Sequence, residues 1–287
     1  MPHTQTVHLL GEASSLTFAL IERLLRTEAH IVLENELHDR VCEAYATDLE
    51  YRQAPLSSST DVALTAGHRV LLLGPEPLAG YSRSGSRFDV DGIELILVTP
   101  QGSDVPAALD WVDAKVTVHD VLPMRNDSMW MPAILATWAD AMSVGDFTPP
   151  EGDEHHWWVS EIDVADALVR LLLSAESFPK LCKMSGRRSW PVSQTHEEFQ
   201  LLYQRTMAGK TGVFGVQELT AAPTPHIELE PLIVTDKAPM SISENRQDRP
   251  DLSPVHDALH AADGDGWRPL VPIRTALMHC LAGLLGA

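Results

Sequence analysis

Four short aliphatic runs constrain this chain more than any other feature: Val7–Leu10, Ile31–Leu33, Val70–Leu73 and Ile93–Val98. They read as continuous rather than alternating, the pattern of parallel strands buried on both faces. Between the first two, Leu16, Leu20, Ile21, Leu24 and Leu25 recur at helical spacing and predict an amphipathic helix over roughly 15–27. A second helix is predicted over 37–47, and a short one over 62–66. Strand–helix–strand repetition implies an α/β fold, a doubly wound parallel sheet with right-handed crossovers.

Downstream, Gly74–Gly92 reads as a loop rich in Gly, Ser and Pro. A short helix near 105–113, a strand at Lys115–Leu122 and a helix at Met131–Met142 follow. The acidic connection Pro149–His156 leads to Ile162–Leu173, a strong helical pattern with Asp163 in its first turn. Two strand-like runs flank a helix at 194–207, the stretch 236–254 is polar and Pro-rich, and Arg274–Leu285 predicts a terminal helix. A chain of 287 residues fits one α/β domain with a smaller C-terminal lobe. The expected division assigns 1–125 to the sheet domain, with 157–185 returning to it, and 126–156 and 186–287 to the lobe.

Charge narrows the partners. Against 40 acidic side chains stand 21 basic ones, a net charge of -19 that repels a phosphate backbone, so nucleic acid is not expected. Met1–His8 does not read as a signal segment, and no apolar stretch reaches membrane-spanning length. Cys42, Cys182 and Cys280 match no metal or redox spacing and suggest reduced thiols in a cytoplasmic protein.

The segment Trp157-Trp158-Val159-Ser160-Glu161-Ile162-Asp163-Val164-Ala165-Asp166-Ala167 runs from an apolar strand into an Asp-Val-Ala helix. Met184-Ser185-Gly186 and Val192-Ser193 precede Glu197-Glu198-Phe199, and Asp251-Leu252-Ser253 precedes Gly266-Trp267-Arg268-Pro269-Leu270. In this order the segments resemble the extended short-chain dehydrogenases, the NAD-dependent epimerase/dehydratase family, over nearly the whole chain.

That resemblance implies a dinucleotide gripped by G-x-x-G-x-x-G, whose glycines let the pyrophosphate approach a helix N-terminus. Here the run is Gly11-Glu12-Ala13-Ser14-Ser15-Leu16-Thr17, in which Ser14 and Thr17 stand where glycines are expected. Glu12 sets a negative charge beside the pyrophosphate position, about 1–4 kcal/mol unfavourable near a surface. Glu34 or Glu36, after the second strand, can hold a ribose diol. The family also implies a Ser or Thr at a strand end and a Tyr-x-x-x-Lys helix for proton transfer. Thr99 matches the first, but the second survives only as Trp111-Val112-Asp113-Ala114-Lys115, and an indole N–H only donates.

These departures lead to the expectation of a non-catalytic interaction or regulatory subunit that binds no cofactor and works with a protein partner or as a homo-oligomer. The alternative is an NAD(P)-dependent epimerase, dehydratase or reductase acting on a nucleotide-sugar or similar molecule. In that case Gly11, Ser14, Thr17 and Glu34 hold cofactor, Thr99 and Lys115 assist chemistry, and Arg187 or Arg188 binds substrate phosphate. Two histidine groupings offer metal-ligand types, His155-His156 with Asp153, Glu154 and Glu161, and His256 with His260, but no metal is expected. The Met and Trp cluster from Met124 to Trp158 reads as core.

Overall fold

Parallel pairing of the aliphatic runs builds the sheet at the centre of this computed structural model, which describes residues 5–74, 83–103, 111–152, 154–213 and 249–286. Strands β1 (Thr6–Gly11), β2 (His30–Leu33), β3 (Leu56–Ser58), β4 (Arg69–Leu73), β5 (Glu94–Pro100), β6 (Ala114–Val118) and β10 (Leu181–Met184) form one seven-stranded sheet. Its order is β10-β6-β5-β4-β1-β2-β3, and every neighbouring pair is parallel. The strand order reverses between β1 and β4, which opens a crevice at their carboxyl ends.

One face of the sheet is covered by helices. Val7, Leu9, Ile31, Leu33, Leu71, Ile96 and Val98 point toward α1 (Ser15–Leu24), α2 (Asn35–Ala44) and α5 (Glu161–Leu173), and form the main core with them. The predicted helix over 37–47 is thus displaced and ends at Tyr45, where α3 (Ala46–Tyr51) begins. On the opposite face Leu10, Val70, Leu72, Leu95 and Leu97 pack beneath Phe88 and Ile93, with Trp111 partly buried against them. Among the described residues no helix covers that face. The stretch 62–66, predicted helical, is turn and irregular chain, and the helix predicted near 105–113 falls mostly outside the described residues.

The predicted strand at Lys115–Leu122 breaks in two, β6 and β7 (Val121–Leu122), because Asp120 adopts a left-handed φ of 47°. Its carboxylate accepts from the Trp157 backbone N–H (2.7 Å) and faces His156 Nδ1 (2.8 Å). Two small pairs follow: β7 with β9 (Val159–Ser160), and β8 (His155–His156) with β11 (Trp190–Pro191). Ser160 caps α5 by accepting from Ile162 N–H, and Glu161 and Asp163 complement the helix dipole. Asp163 also accepts from the Leu270 and Val271 amides, while Trp267 donates its indole N–H to the Ser185 carbonyl (2.9 Å). The three sequence segments singled out above are therefore tied to one another.

A second cluster joins α4 (Ala133–Ser143), α6 (Val192–Thr211) and α8 (Ile273–Leu284) through Leu135, Trp138, Phe199, Leu202, Leu277 and Leu281. Helix α7 (Ser253–Asp263) packs against α5. No described helix is long and apolar enough to cross a membrane.

Candidate functional site

Gly11 closes β1 at φ +131°, and a Cβ there would lie 2.4 Å from the Leu73 carbonyl oxygen of β4. Only glycine fits this turn. The next two positions, where the resemblance expects glycine, knit the loop to itself instead. Ser14 Oγ accepts from Thr17 N–H (3.2 Å), and the Thr17 hydroxyl donates to the Glu12 carbonyl (2.8 Å). Thr17 is buried and accommodated, so its β-branch does not push α1 away from the sheet.

Beyond this loop, a cleft of about 680 Å³ opens over the carboxyl ends of β1, β2 and β3. Gly11, Glu12 and Ala13 form one wall, and Glu34, Asn35 and Arg40 the other. Glu34 accepts from Arg87 at 3.0 Å. Asn35 Oδ1 accepts from the Ser58 hydroxyl, and Arg40 lies over the Phe18 ring at 5.4 Å from its centre. Gly11 and Glu34 thus meet in one cleft, as the sequence suggests. Asn35 and Arg40 went unrecognised, because nothing in the second helical pattern marks which turn faces β1.

On its other side the loop is covered by residues 124–130. The Ser15 backbone N–H, first in α1, donates to Asp127 Oδ2 at 2.6 Å, and the Arg125 backbone N–H donates to Ser15 Oγ. Trp130 donates its indole N–H to Ser14 Oγ, and Met129 Sδ sits where a Cβ on Gly74 would fall. Beneath this segment Glu161 is fully buried. Its Oε1 accepts from Met124 N–H (2.8 Å), and Oε2 has no partner among the described residues. Burial pushes its carboxyl up to about 7, against the opposing pull of the Met124 hydrogen bond.

Thr99 and Lys115 are not brought together. Thr99 is buried and pairs with Thr117, whereas Lys115 pairs with Leu97, two rows down the sheet and about 7 Å away along the strand. Trp111 lies in a turn and stacks on Phe88, so the Trp111–Lys115 spacing is not helical. Tyr45 donates to Glu22, and burial raises its hydroxyl to about 12, far from the range of a neutral-pH acid. Arg187 lines a separate cleft with Arg249, Asp251 and His256, and Arg188 stacks over Trp190. His156 is engaged by Asp120, His155 by Ser189, and His256 and His260 stack at 6.4 Å. No group of three potential metal ligands occurs among the described residues.

No family model and no curated protein matches the sequence. Solved structures do match. The WbmF enzyme of Bordetella bronchiseptica, in complex with NAD+ and UDP, superposes with a TM-score of 0.52 at 13% identity, over 99% of this chain and 93% of its own. UDP-glucose 4-epimerase from Bifidobacterium longum, also with NAD+ and UDP, gives 0.53 at 11% identity and 98% of both chains. The terminal R domain of the myxalamid PKS-NRPS pathway gives 0.53 at 14% identity, over 99% of this chain and 91% of its own. The expectation of no cofactor is corrected by these neighbours, two of which carry NAD+ on this fold. Ser14 and Thr17 in place of two glycines leave the cleft over β1–β3 open. Nothing in the comparisons favours a regulatory subunit over an enzyme. The chain has the Rossmann-like fold of the NAD+-bound enzymes it superposes on.

Proposed function

We propose that this chain binds a nicotinamide dinucleotide at the carboxyl edge of its sheet and acts as an NAD-linked epimerase or reductase on a nucleotide-sugar or similar small molecule. The observation that carries this reading is the open cleft over β1–β3, with Gly11 on one wall and an acid, Glu34, at the end of β2. The adenosine half of a dinucleotide fits there. Glu34 and the Asn35 side-chain oxygen accept from ribose hydroxyls, and Ala13 and Leu37 give the base an apolar seat. A carboxylate at this position repels a 2′-phosphate, so NAD+ is preferred over NADP+. When bound, the nicotinamide supplies a hydride acceptor. Of the two residues expected to assist, Thr99 alone stands near the carboxyl edge.

Calorimetric titration with NAD+, NADH, NADP+, NADPH and adenosine tests the proposal. The expected result is saturable NAD+ binding with a Kd below about 1 mM, weakened roughly tenfold in Glu34→Ala as one charge-assisted hydrogen bond is lost. An absence of binding by every dinucleotide and by adenosine at several millimolar would overturn it.

A further inference from the structure

The pyrophosphate of a dinucleotide on this fold seeks the free N–H groups at the start of α1, where the helix dipole favours negative charge. Here two of those groups are already occupied from within. The Ser15 N–H is held by Asp127 Oδ2 at 2.6 Å and the Thr17 N–H by Ser14 Oγ at 3.2 Å. Asp127 is itself fixed, because its Oδ1 accepts from Met129 N–H at 2.9 Å. Its neighbours close over the same spot. The Arg125 backbone N–H donates to Ser15 Oγ at 3.0 Å, Trp130 reaches Ser14 Oγ at 3.2 Å, and Met129 lies against Gly74 at the end of β4. The adenosine cleft, by contrast, stays open on the far side of Gly11.

We infer that residues 124–130 are an autoinhibitory strap, in which the Asp127 carboxylate stands in for the dinucleotide's pyrophosphate at the N-terminus of α1. The inference rests on the reading that the cleft takes a dinucleotide. The adenosine half docks without moving the strap. The pyrophosphate competes with Asp127, both for the Ser15 N–H and through like-charge repulsion, so a dinucleotide is admitted in full only when Asp127 leaves the Ser15 N–H, while Trp130 stays in the core.

The test is titration of the wild type, Asp127→Ala and Asp127→Asn with adenosine, ADP and NAD+, with circular-dichroism melts to check each fold. NAD+ and ADP should bind at least tenfold more tightly to Asp127→Ala, with adenosine unchanged. Asp127→Asn should move in the same direction by less, because its amide oxygen still accepts from Ser15 but carries no charge. If adenosine binds all three proteins alike while NAD+ and ADP gain nothing, the strap is refuted and the cleft reading stands. A uniform gain for all three ligands would also refute it, by pointing to general loosening. No binding of any ligand to any of the three proteins would remove the cleft reading, and the strap with it.

Discussion

Glu161 gives the fold a pH dependence that a single side chain carries. Its carboxyl is raised from 4.5 to about 7 by burial, so the folded state holds its proton more tightly than the unfolded chain. The stabilising contribution is complete below pH 4.5 and is lost as pH rises toward 7. Above that, ionised Glu161 burdens the fold by about 3 kcal/mol. Glu161→Gln keeps an oxygen for the Met124 amide and cannot ionise. It should raise the Tm by several degrees at pH 8.5 and leave it unchanged at pH 4. Equal shifts at the two pH values would show that ionisation of this group is not the cause. The sequence offered Glu161 as a loop acid beside His155 and His156. It turns inward instead, because residue 161 opens α5 and its side chain falls under the segment from Met124 to Asp127.

At the scale of elements, the join between β4 and α5 depends on Arg69. Its guanidinium is buried and donates to the carbonyls of Leu171, Leu172, Ser174 and Glu176, and it pairs with Glu94 at 2.8 Å. One cation thereby satisfies the open C-terminal end of α5 and pins it to the sheet. Arg69→Met, which keeps the stem and removes the charge, should cost about 3–5 kcal/mol in urea unfolding, because Glu94 and four carbonyls lose their partner. A loss under 1 kcal/mol would place the join elsewhere. The four aliphatic runs were legible as strands, whereas β3 was not, since Leu56-Ser57-Ser58 carries no aliphatic run. Gly11 was legible as the first glycine of the run that the resemblance implies, but its contact with the Leu73 carbonyl was not. The contact between Ser15 and Asp127 was not, since 112 residues separate partners that only the crevice brings together. Nor was the loss of a helix at 62–66, where an apolar spacing too short to nucleate a helix yields to turns.

Across the whole molecule the two faces of the sheet are built unequally. Helices shield one, while among the described residues the other is closed by loop side chains, Phe88 foremost. Phe88 is 1% exposed, stacks on Trp111 at 5.8 Å and seals Val70, Leu72, Leu95 and Leu97 from water. Phe88→Ala should therefore cost about 3–5 kcal/mol, the penalty of a core aromatic rather than of a loop residue. A urea midpoint within error of wild type would mean that this face needs no seal.

Thin cover on that face also changes the arithmetic of assembly. Leu95 and Asp113, bonded where β5 meets the approach to β6, lie 18 residues apart. His8 and His68, which meet where β1 joins β4, are 60 apart. The entropy of closing the shorter loop is lower by about 1 kcal/mol. The pairing of β5 with β6 is therefore entropically nearer to a local contact than that of β1 with β4, and the switch point between β1 and β4 is the more demanding contact to close.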